Sequence, residues 1–547
     1  MSSKLKKENK VSFLQNVLML MFSQVVIKLL GLIYRVVIVD VEGFGNVGNG
    51  YYSTGYQIYM VLLALSSMGI PNVVSKLVSE RTAKGDFLAA HRVFRFCLAT
   101  FSTLGVVFAL LLFFGAEFIA NFVLKADGVK YTLMSLAPAL LVVPPTAVIR
   151  GYFTGLGSLK ATSTTLVIEQ FFNCVLSIGF VYACIGQDTA IMAAAGNLST
   201  SCACILAFGY LLFFYAKRKG EINEECKNQT QKTENTTKTD MVKTILAISI
   251  PISFSSLISV LGSAIDTVTV SRCVQNAFAA LGGTAQALEE KAMELYGILQ
   301  KAETVTHLPL AISATFCTAI VPVISAAIAK KDEAEANRKI SSSFFINSLF
   351  IFPCMAGFFV LAGPILKLLY PSVPEGSLVL ILLSISLPFS SMNYILNGVL
   401  YGIGKTFVPA AALGIGSLIK LGLNILLVNI PSVNIYGAVF STVLYNILIF
   451  AIELAVVKRY VKLQVDMKRC FVKPIFSSAV MGVVVFFTYK LCALGLGNTI
   501  STLVAVFVGV IVYALLVIIT KNLNKEDLIS VPMGAKICSL LERFRLI

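Results

Sequence analysis

Charge is what this chain has least of. Asp, Glu, Lys and Arg make up only 13% of its 547 residues, against roughly 25% in a soluble domain. Apolar residues reach 57%, and mean hydropathy is +0.84. A soluble chain this long would divide into several domains of roughly 150 residues, but too few polar side chains exist to cover them. Disordered, collagenous and disulfide-stapled secreted classes are excluded on the same ground. Tryptophan is absent, so an interfacial aromatic belt has to come from the 19 tyrosines. With 2 histidines and no Cys-x-x-Cys among 12 cysteines, there is no donor set for a structural zinc site. No Gly-x-x-x-x-Gly-Lys-Ser/Thr loop for ATP phosphates occurs. No segment alternates polar and apolar residues over about ten positions, which excludes a β-barrel.

What the chain does have is long apolar runs. Fourteen reach the length of about 20 residues that a bilayer demands, from 13–39 through to 499–519. Without water to satisfy backbone N–H and C=O groups, such runs must be helical. The expected fold class is therefore an all-α polytopic membrane protein with about 14 transmembrane helices. Orientation follows from the cations. Of 44 Lys and Arg, 34 fall in loops and termini on one side, 6 on the other, and 4 within spans. The basic side is cytoplasmic, which predicts a multi-pass bacterial plasma-membrane protein with both termini inside.

Landmarks recur about 230–250 residues apart, a sign of duplication. Gly31-Leu-Ile-Tyr-Arg35 parallels Gly262-Ser-Ala-Ile-Asp266, and Ile70-Pro71 parallels Val321-Pro322. Arg150-Gly151-x-x-x-Gly155 parallels Asn397-Gly398-x-x-x-Gly402, and Glu169 with Asn173 parallels Lys420 with Asn424. The unit is six spans, used twice in the same orientation. The expected organisation is an N-terminal six-helix bundle (1–215), a polar cytoplasmic linker (216–243) and a C-terminal six-helix bundle (244–457). Two additional helices and a cytoplasmic tail (458–547) complete it. Two parallel bundles imply a cleft between them and alternating access. Arg150, Gly151, Asn397, Gly398 and Pro309 are the gate or hinge candidates.

Ionisable groups at mid-bilayer cost roughly 2.5–3.5 kcal/mol on insertion scales, so they usually face a cavity or a partner. Lys28 and Arg35 are seven residues apart and share one helix face, with Gln24 and Gly31 on the same stripe. That cationic stripe suits an anion in a wet cavity. Glu169, Asp266, Lys301, Glu303 and Lys420 complete the substrate-cavity candidates, while Glu453 is read as structural. Lys301 and Glu303 begin span 8 near the outer surface, and residues 273–295 read as an outer connection with a short interfacial helix. Equivalent positions carry opposite charges, Arg35 against Asp266 and Glu169 against Lys420. A pairing of Arg35 with Asp266 in the state closed to the outside follows from the repeat.

Two further segments carry a resemblance. Gly43-Phe-Gly45-Asn-Val-Gly48-Asn-Gly50-Tyr51-Tyr52, and Glu294-Leu-Tyr296-Gly297 followed by Leu308-Pro309 and Val321-Pro322, are similar to motifs of one branch of the multidrug/oligosaccharidyl-lipid/polysaccharide exporter superfamily. That branch is its polysaccharide transporters, which include Gram-positive sporulation proteins and lipid II flippases. The resemblance covers residues 10–520 and implies two parallel six-helix bundles plus two extra helices. It implies a flippase or exporter that moves an undecaprenyl-pyrophosphate-linked saccharide, a peptidoglycan precursor, spore-cortex or other polysaccharide unit, to the outer leaflet. It also implies cations of span 1 in the cleft, matched here by Lys28 and Arg35, and a groove for the polyprenyl tail in the last two spans. The chain departs from the lipid II flippase pattern at Thr304, where those proteins carry an arginine, and in span 2, which has no basic residue. The expected partners are a lipid-linked oligosaccharide with an anionic pyrophosphate headgroup, membrane lipids, and H⁺, Na⁺ or the membrane potential as driving force. No nucleic acid, cofactor, metal or catalytic residue is expected. A cation-coupled multidrug exporter of the same fold, using Asp266 or Glu169, is the first alternative. A membrane-embedded glycan polymerase or ligase is the second, and it lacks the large outer loop that reaction needs.

Overall fold

The computed structural model describes residues 13–227, 238–279, 282–330, 332–461, 463 and 465–520. Among these every regular element is helical. The first seven helices are α1 (Phe13–Val39), α2 (Gly45–Ser66), α3 (Ile70–Ala83), α4 (Phe87–Phe118), α5 (Val129–Gly155), α6 (Lys160–Ala183) and α7 (Thr189–Lys227). The next five are α8 (Lys238–Ala279), α9 (Ala285–Ala329), α10 (Glu333–Leu369), α11 (Ser377–Ser384) and α12 (Leu387–Gly402). The chain continues through α13 (Phe407–Val428), α14 (Ile435–Tyr460), α15 (Lys473–Ala493) and α16 (Asn498–Ile519). The N-terminal lysines, the middle of the expected linker, the tail after Thr520 and the side chain of Gln24 lie outside the described residues.

Twelve described spans are long and apolar enough to cross a membrane, with α2 and α3 forming one of them. The pair α11 and α12, bent by 42° where Pro388 starts the second segment, makes a thirteenth. α1 coincides with the first apolar run of the sequence. The protein is thus a multi-pass membrane protein. Helices of 22 residues such as α13 and α16 are about 33 Å long, the thickness of a hydrocarbon core. Phe114, Phe213, Phe507 and Leu491 point outward, a surface that only lipid would cover. Helices also outrun the bilayer. α7 continues to Lys227 and α8 starts at Lys238, so helix enters the expected linker from both ends. The expected outer connection is likewise built from the end of α8 and the start of α9 rather than from a separate interfacial helix.

Local chemistry explains the breaks. Asp86 accepts from Ala89 N at 2.8 Å and Asp332 accepts from Glu335 N at 2.8 Å, so each basic loop after a repeated Pro landmark ends in an N-cap. α10 loses helical geometry at Leu361 (φ −106°, ψ 17°), three residues before Pro364, whose ring crowds the preceding turn.

The chain forms two compact units. The first holds residues up to Gln300 with Leu421–Ile435, and the second holds Lys301–Lys420 with the chain from Tyr436 onward. Each contains the same kind of helix crossing. In the first, a Cβ on Gly151 would lie 2.8 Å from Pro71 O, and one on Gly155 2.8 Å from Val78 Cβ. In the second, a Cβ on Gly398 would lie 2.8 Å from Cys317 O and closer still to Ile320, and one on Gly402 2.8 Å from Ile324 Cβ. The two Gly-x-x-x-Gly segments therefore let α5 cross α3, and α12 cross α9, with the backbones almost touching. Val74, Phe94 and Phe153 pack around the first crossing, and Ile324, Phe344 and Leu396 around the second.

Gly151→Ala and Gly398→Ala are expected to destabilise the protein by about 1–3 kcal/mol through overpacking. Gly179→Ala, where nothing lies within 4 Å of the added carbon, is expected to leave stability unchanged or slightly raised. Thermal unfolding in detergent, followed by intrinsic tyrosine fluorescence or calorimetry, checks both.

Candidate functional site

The two segments that carry the family resemblance pack on each other in the first unit. Asn46, Asn49, Gly50, Tyr51 and Tyr52 open α2 and are buried. Against them runs the start of α9. A Cβ on Gly50 would strike the Met293 backbone, and one on Gly297 would strike Asn46 O. Asn49 Nδ2 donates to Gly297 O at 2.8 Å. Tyr51 OH donates to Glu289 Oε1 at 2.8 Å, and Glu289 also accepts from Gly128 N at 2.9 Å and Asp127 N at 3.1 Å, capping α5. Ser271 Oγ and Gln275 Nε2 of α8 donate to Leu124 O and Lys125 O, each at 2.7 Å. At this end of the unit, side chains of α2, α8 and α9 satisfy backbone groups across the seam.

Beside the seam lies the cationic stripe of α1. Arg35 is half-buried. Its Nη1 donates to Ser53 Oγ at 3.4 Å, and its guanidinium carbon stands 5.3 Å from the centroid of the Tyr52 ring. Tyr52 in turn stacks on Tyr56 with ring centroids 6.4 Å apart, and its hydroxyl is 3.3 Å from that of Tyr34. Arg35 therefore rests on aromatic faces, which hold a cation without neutralising it. Lys28, two turns away on the same face, is exposed. A Cβ on Gly31 between them would lie 3.7 Å from Gln170 Nε2, which places the stripe alongside α6. Among the described residues no carboxylate comes within 4.0 Å of Lys28 or Arg35.

The acids are already occupied. Glu169 Oε2 takes Arg150 Nη2 at 2.6 Å, and Cys204 Sγ donates to its other oxygen at 3.8 Å. Arg150, read from the sequence as a gate candidate, is thus the partner of Glu169. Asp266, 1% exposed, accepts from Asn424 Nδ2 at 2.8 Å, and Asn424 also donates to Thr269 Oγ1 at 2.8 Å. Arg35 and Asp266 thus have separate partners in this conformation.

Lys301 and Lys420 belong to the second unit. The sequence placed Lys301 near the surface, but it is 1% exposed: its ammonium donates to Val373 O and lies 5.3 Å from the Tyr370 ring centroid. Lys420 is 3% exposed and lies 5.3 Å from the Tyr445 ring centroid. Glu303 is half-buried, and Pro309 is buried inside a helix that continues past it. Gly151 and Gly398 are the crossing points described above. Tyr34, Tyr52, Glu289 and Asn424 are the site residues that sequence reasoning passed over. Tyr34 and Tyr52 stood in quoted motifs, and Asn424 stood beside Lys420 in the repeat.

The fold is that of an all-helical, multi-pass membrane protein. Residues 13–328 match the family described as polysaccharide biosynthesis protein, and residues 296–426 match MatE. The chain belongs to the polysaccharide biosynthesis protein family, within the multidrug/oligosaccharidyl-lipid/polysaccharide exporter superfamily. Stage V sporulation protein B of Bacillus subtilis (strain 168) is 25% identical over 535 residues, covering 96% of this chain and 98% of that protein. Lipid II flippase MurJ of the same organism is 25% identical over 475 residues, covering 84% and 85%. A solved structure, lipid II flippase MurJ in an inward closed conformation, matches with a TM-score of 0.67 at 16% identity. That match covers 92% of this chain and 98% of the other.

Arg150→Gln leaves the Glu169 carboxylate, about two-thirds buried, without its cation. A loss on the order of 1–2 kcal/mol is expected. Adding Glu169→Gln to the same chain is expected to recover part of it. A double-mutant cycle on thermal unfolding reads the coupling.

Proposed function

We propose that the protein is an alternating-access flippase that moves an undecaprenyl-pyrophosphate-linked saccharide from the inner to the outer leaflet of the bacterial plasma membrane. The observation that carries this reading is the pair Lys28 and Arg35. Two cations share one face of a membrane helix, while the nearby acid Glu169 is paired with Arg150. A pyrophosphate is the anion such a stripe fits, and Arg35 offers a planar donor fork for its oxygens. Outward movement of an anion runs down an inside-negative potential, worth about 2.3 kcal/mol per charge per 100 mV.

The second unit supports the lipid half of the cargo. An apolar groove of about 470 Å³ lies between α10 and α15, bounded by Phe359, Val360, Phe486 and Phe487. It has almost no polar lining and would take part of a polyprenyl chain. The names of the two curated relatives support a cell-wall or spore-cortex saccharide. In this reading two six-helix bundles rock about a cleft, the Gly151 and Gly398 crossings and Pro309 serve as pivots, and both termini face the cytoplasm on the basic side. A second reading, a cation-coupled exporter, is favoured by one observation: Asp266 is buried against the neutral donor Asn424, a setting in which a coupling cation could be held.

The test replaces the resident lipid II flippase of a host cell with this protein and follows labelled precursor to the outer leaflet. Wild type is expected to restore transfer. Lys28→Gln with Arg35→Gln is expected to lower it tenfold or more, since loss of one charge-assisted bond of about 1.5–3 kcal/mol already costs about that factor. Full activity in the double variant, with loss only in Asp266→Asn, supports the cation-coupled reading instead.

A further inference from the structure

Glu453 of α14 is a charge the site above does not use. It is 0% exposed, and among the described residues neither carboxylate oxygen has a hydrogen-bond partner. Its own helix flanks it with apolar side chains: Phe450, Leu454, Val456 and Val457 belong to the core cluster of the second unit. That cluster is completed by Ile320 and Ile324 from α9, Ile340 and Phe344 from α10, and Met392, Leu396 and Val399 from α12. The titratable groups within electrostatic reach are Cys317 on α9 and Tyr401 on α12. The cluster members from α10 are Ala336, Ile340 and Phe344. The cations of its own helix, Lys458 and Arg459, lie more than a turn further on and are exposed.

An ionised carboxylate in such a place, without a single donor, would carry a desolvation penalty of several kcal/mol. A protonated carboxyl carries much less. The place is also not a finished core. Asn397, one turn from Tyr401 on the same face of α12, has a buried side-chain oxygen without a partner. A buried polar group without a partner among the described residues calls for an explanation, and a proton-binding role supplies one for Glu453.

We propose that Glu453 is a proton-binding site: the carboxyl carries a proton in this conformation and releases it when α14 moves relative to α9 and α12, so that transport is coupled to proton movement. The coupling rests on the transport reading given above; the proton itself does not. The reaction is a carboxylate and a proton giving a carboxylic acid, with no other reactant.

The full-length protein in lipid nanodiscs is compared with Glu453→Gln by infrared spectroscopy at neutral pH. A carboxylic C=O band that shifts in deuterated water and is missing from the variant is expected. Absence of that difference band overturns the proposal. Proteoliposomes carrying an undecaprenyl-pyrophosphate saccharide then test coupling. An acid-outside gradient is expected to accelerate wild-type export, and Glu453→Gln, permanently neutral, is expected to lose that acceleration while keeping its thermal stability. Undiminished acceleration in the variant overturns the coupling. A C=O band present in a protein that exports none of this cargo leaves the proton site standing and counts against the cargo reading alone.

Discussion

The meeting of α2 and α9 main chains at Gly50 and Gly297 is the constraint on which the first unit depends. No side chain fits at either position, because the added carbon would fall on the facing backbone. With that contact fixed, the register of α2 is fixed, and about 100° of rotation per residue distributes the next side chains. Tyr51 turns to Glu289, Tyr52 to Tyr34, Ser53 to Arg35 and Thr54 to Met293. The motif that carries the family resemblance thus aims Tyr52 and Ser53 at the Arg35 guanidinium.

Charge is then sorted by cost. In a medium of low dielectric an ion needs a counter-ion, a set of dipoles or water. Glu169 has the first, in Arg150, and Asp266 the second, in Asn424. Lys301 and Lys420 rest on Tyr370 and Tyr445. Lys28 meets the cost by exposure, and Arg35 by a serine and the faces of tyrosines. Aromatic faces lower the cost of a cation while leaving its field available to an anion that enters later. A carboxylate in the same place would cancel that field. In the proposed reading, the difference between Glu169 and Tyr52 as neighbours separates Arg150, whose charge is neutralised, from Arg35, whose field stays available.

Most of the helical plan was legible in the sequence, since lipid leaves a hydrophobic run only one way to satisfy its backbone. What hydropathy could not show was where a helix ends beyond the membrane. α7 and α9 both extend into stretches whose polar composition suggested connections. The cations of α1 were legible because spacing fixes their common face. The pairing of Arg150 with Glu169 was not, although they lie only nineteen residues apart. It joins α5 to α6 across a turn, and no local sequence pattern sets the relative rotation of those two helices. The cover over Lys301 was not legible either: the Tyr370–Val373 segment that folds over it lies about seventy residues further along the chain.

Both units carry the same crossing, Gly-x-x-x-Gly over a Pro-marked helix, and the same Asp cap on the loop that follows, as the duplication read from the sequence would give. The polar groups added to that scaffold have diverged. The first copy places Arg150 and Glu169 on its fourth and fifth spans, where they neutralise each other; the second places Asn397 and Lys420 there, and Glu453 on its last. A crossing built from backbone contacts tolerates such divergence, because its stability comes from glycine and apolar packing and not from charge. The conserved physics of the crossing thus leaves the charges of each copy free to differ. The first unit keeps Lys28 and Arg35 with no carboxylate within 4.0 Å among the described residues, and the second buries the carboxyl of Glu453.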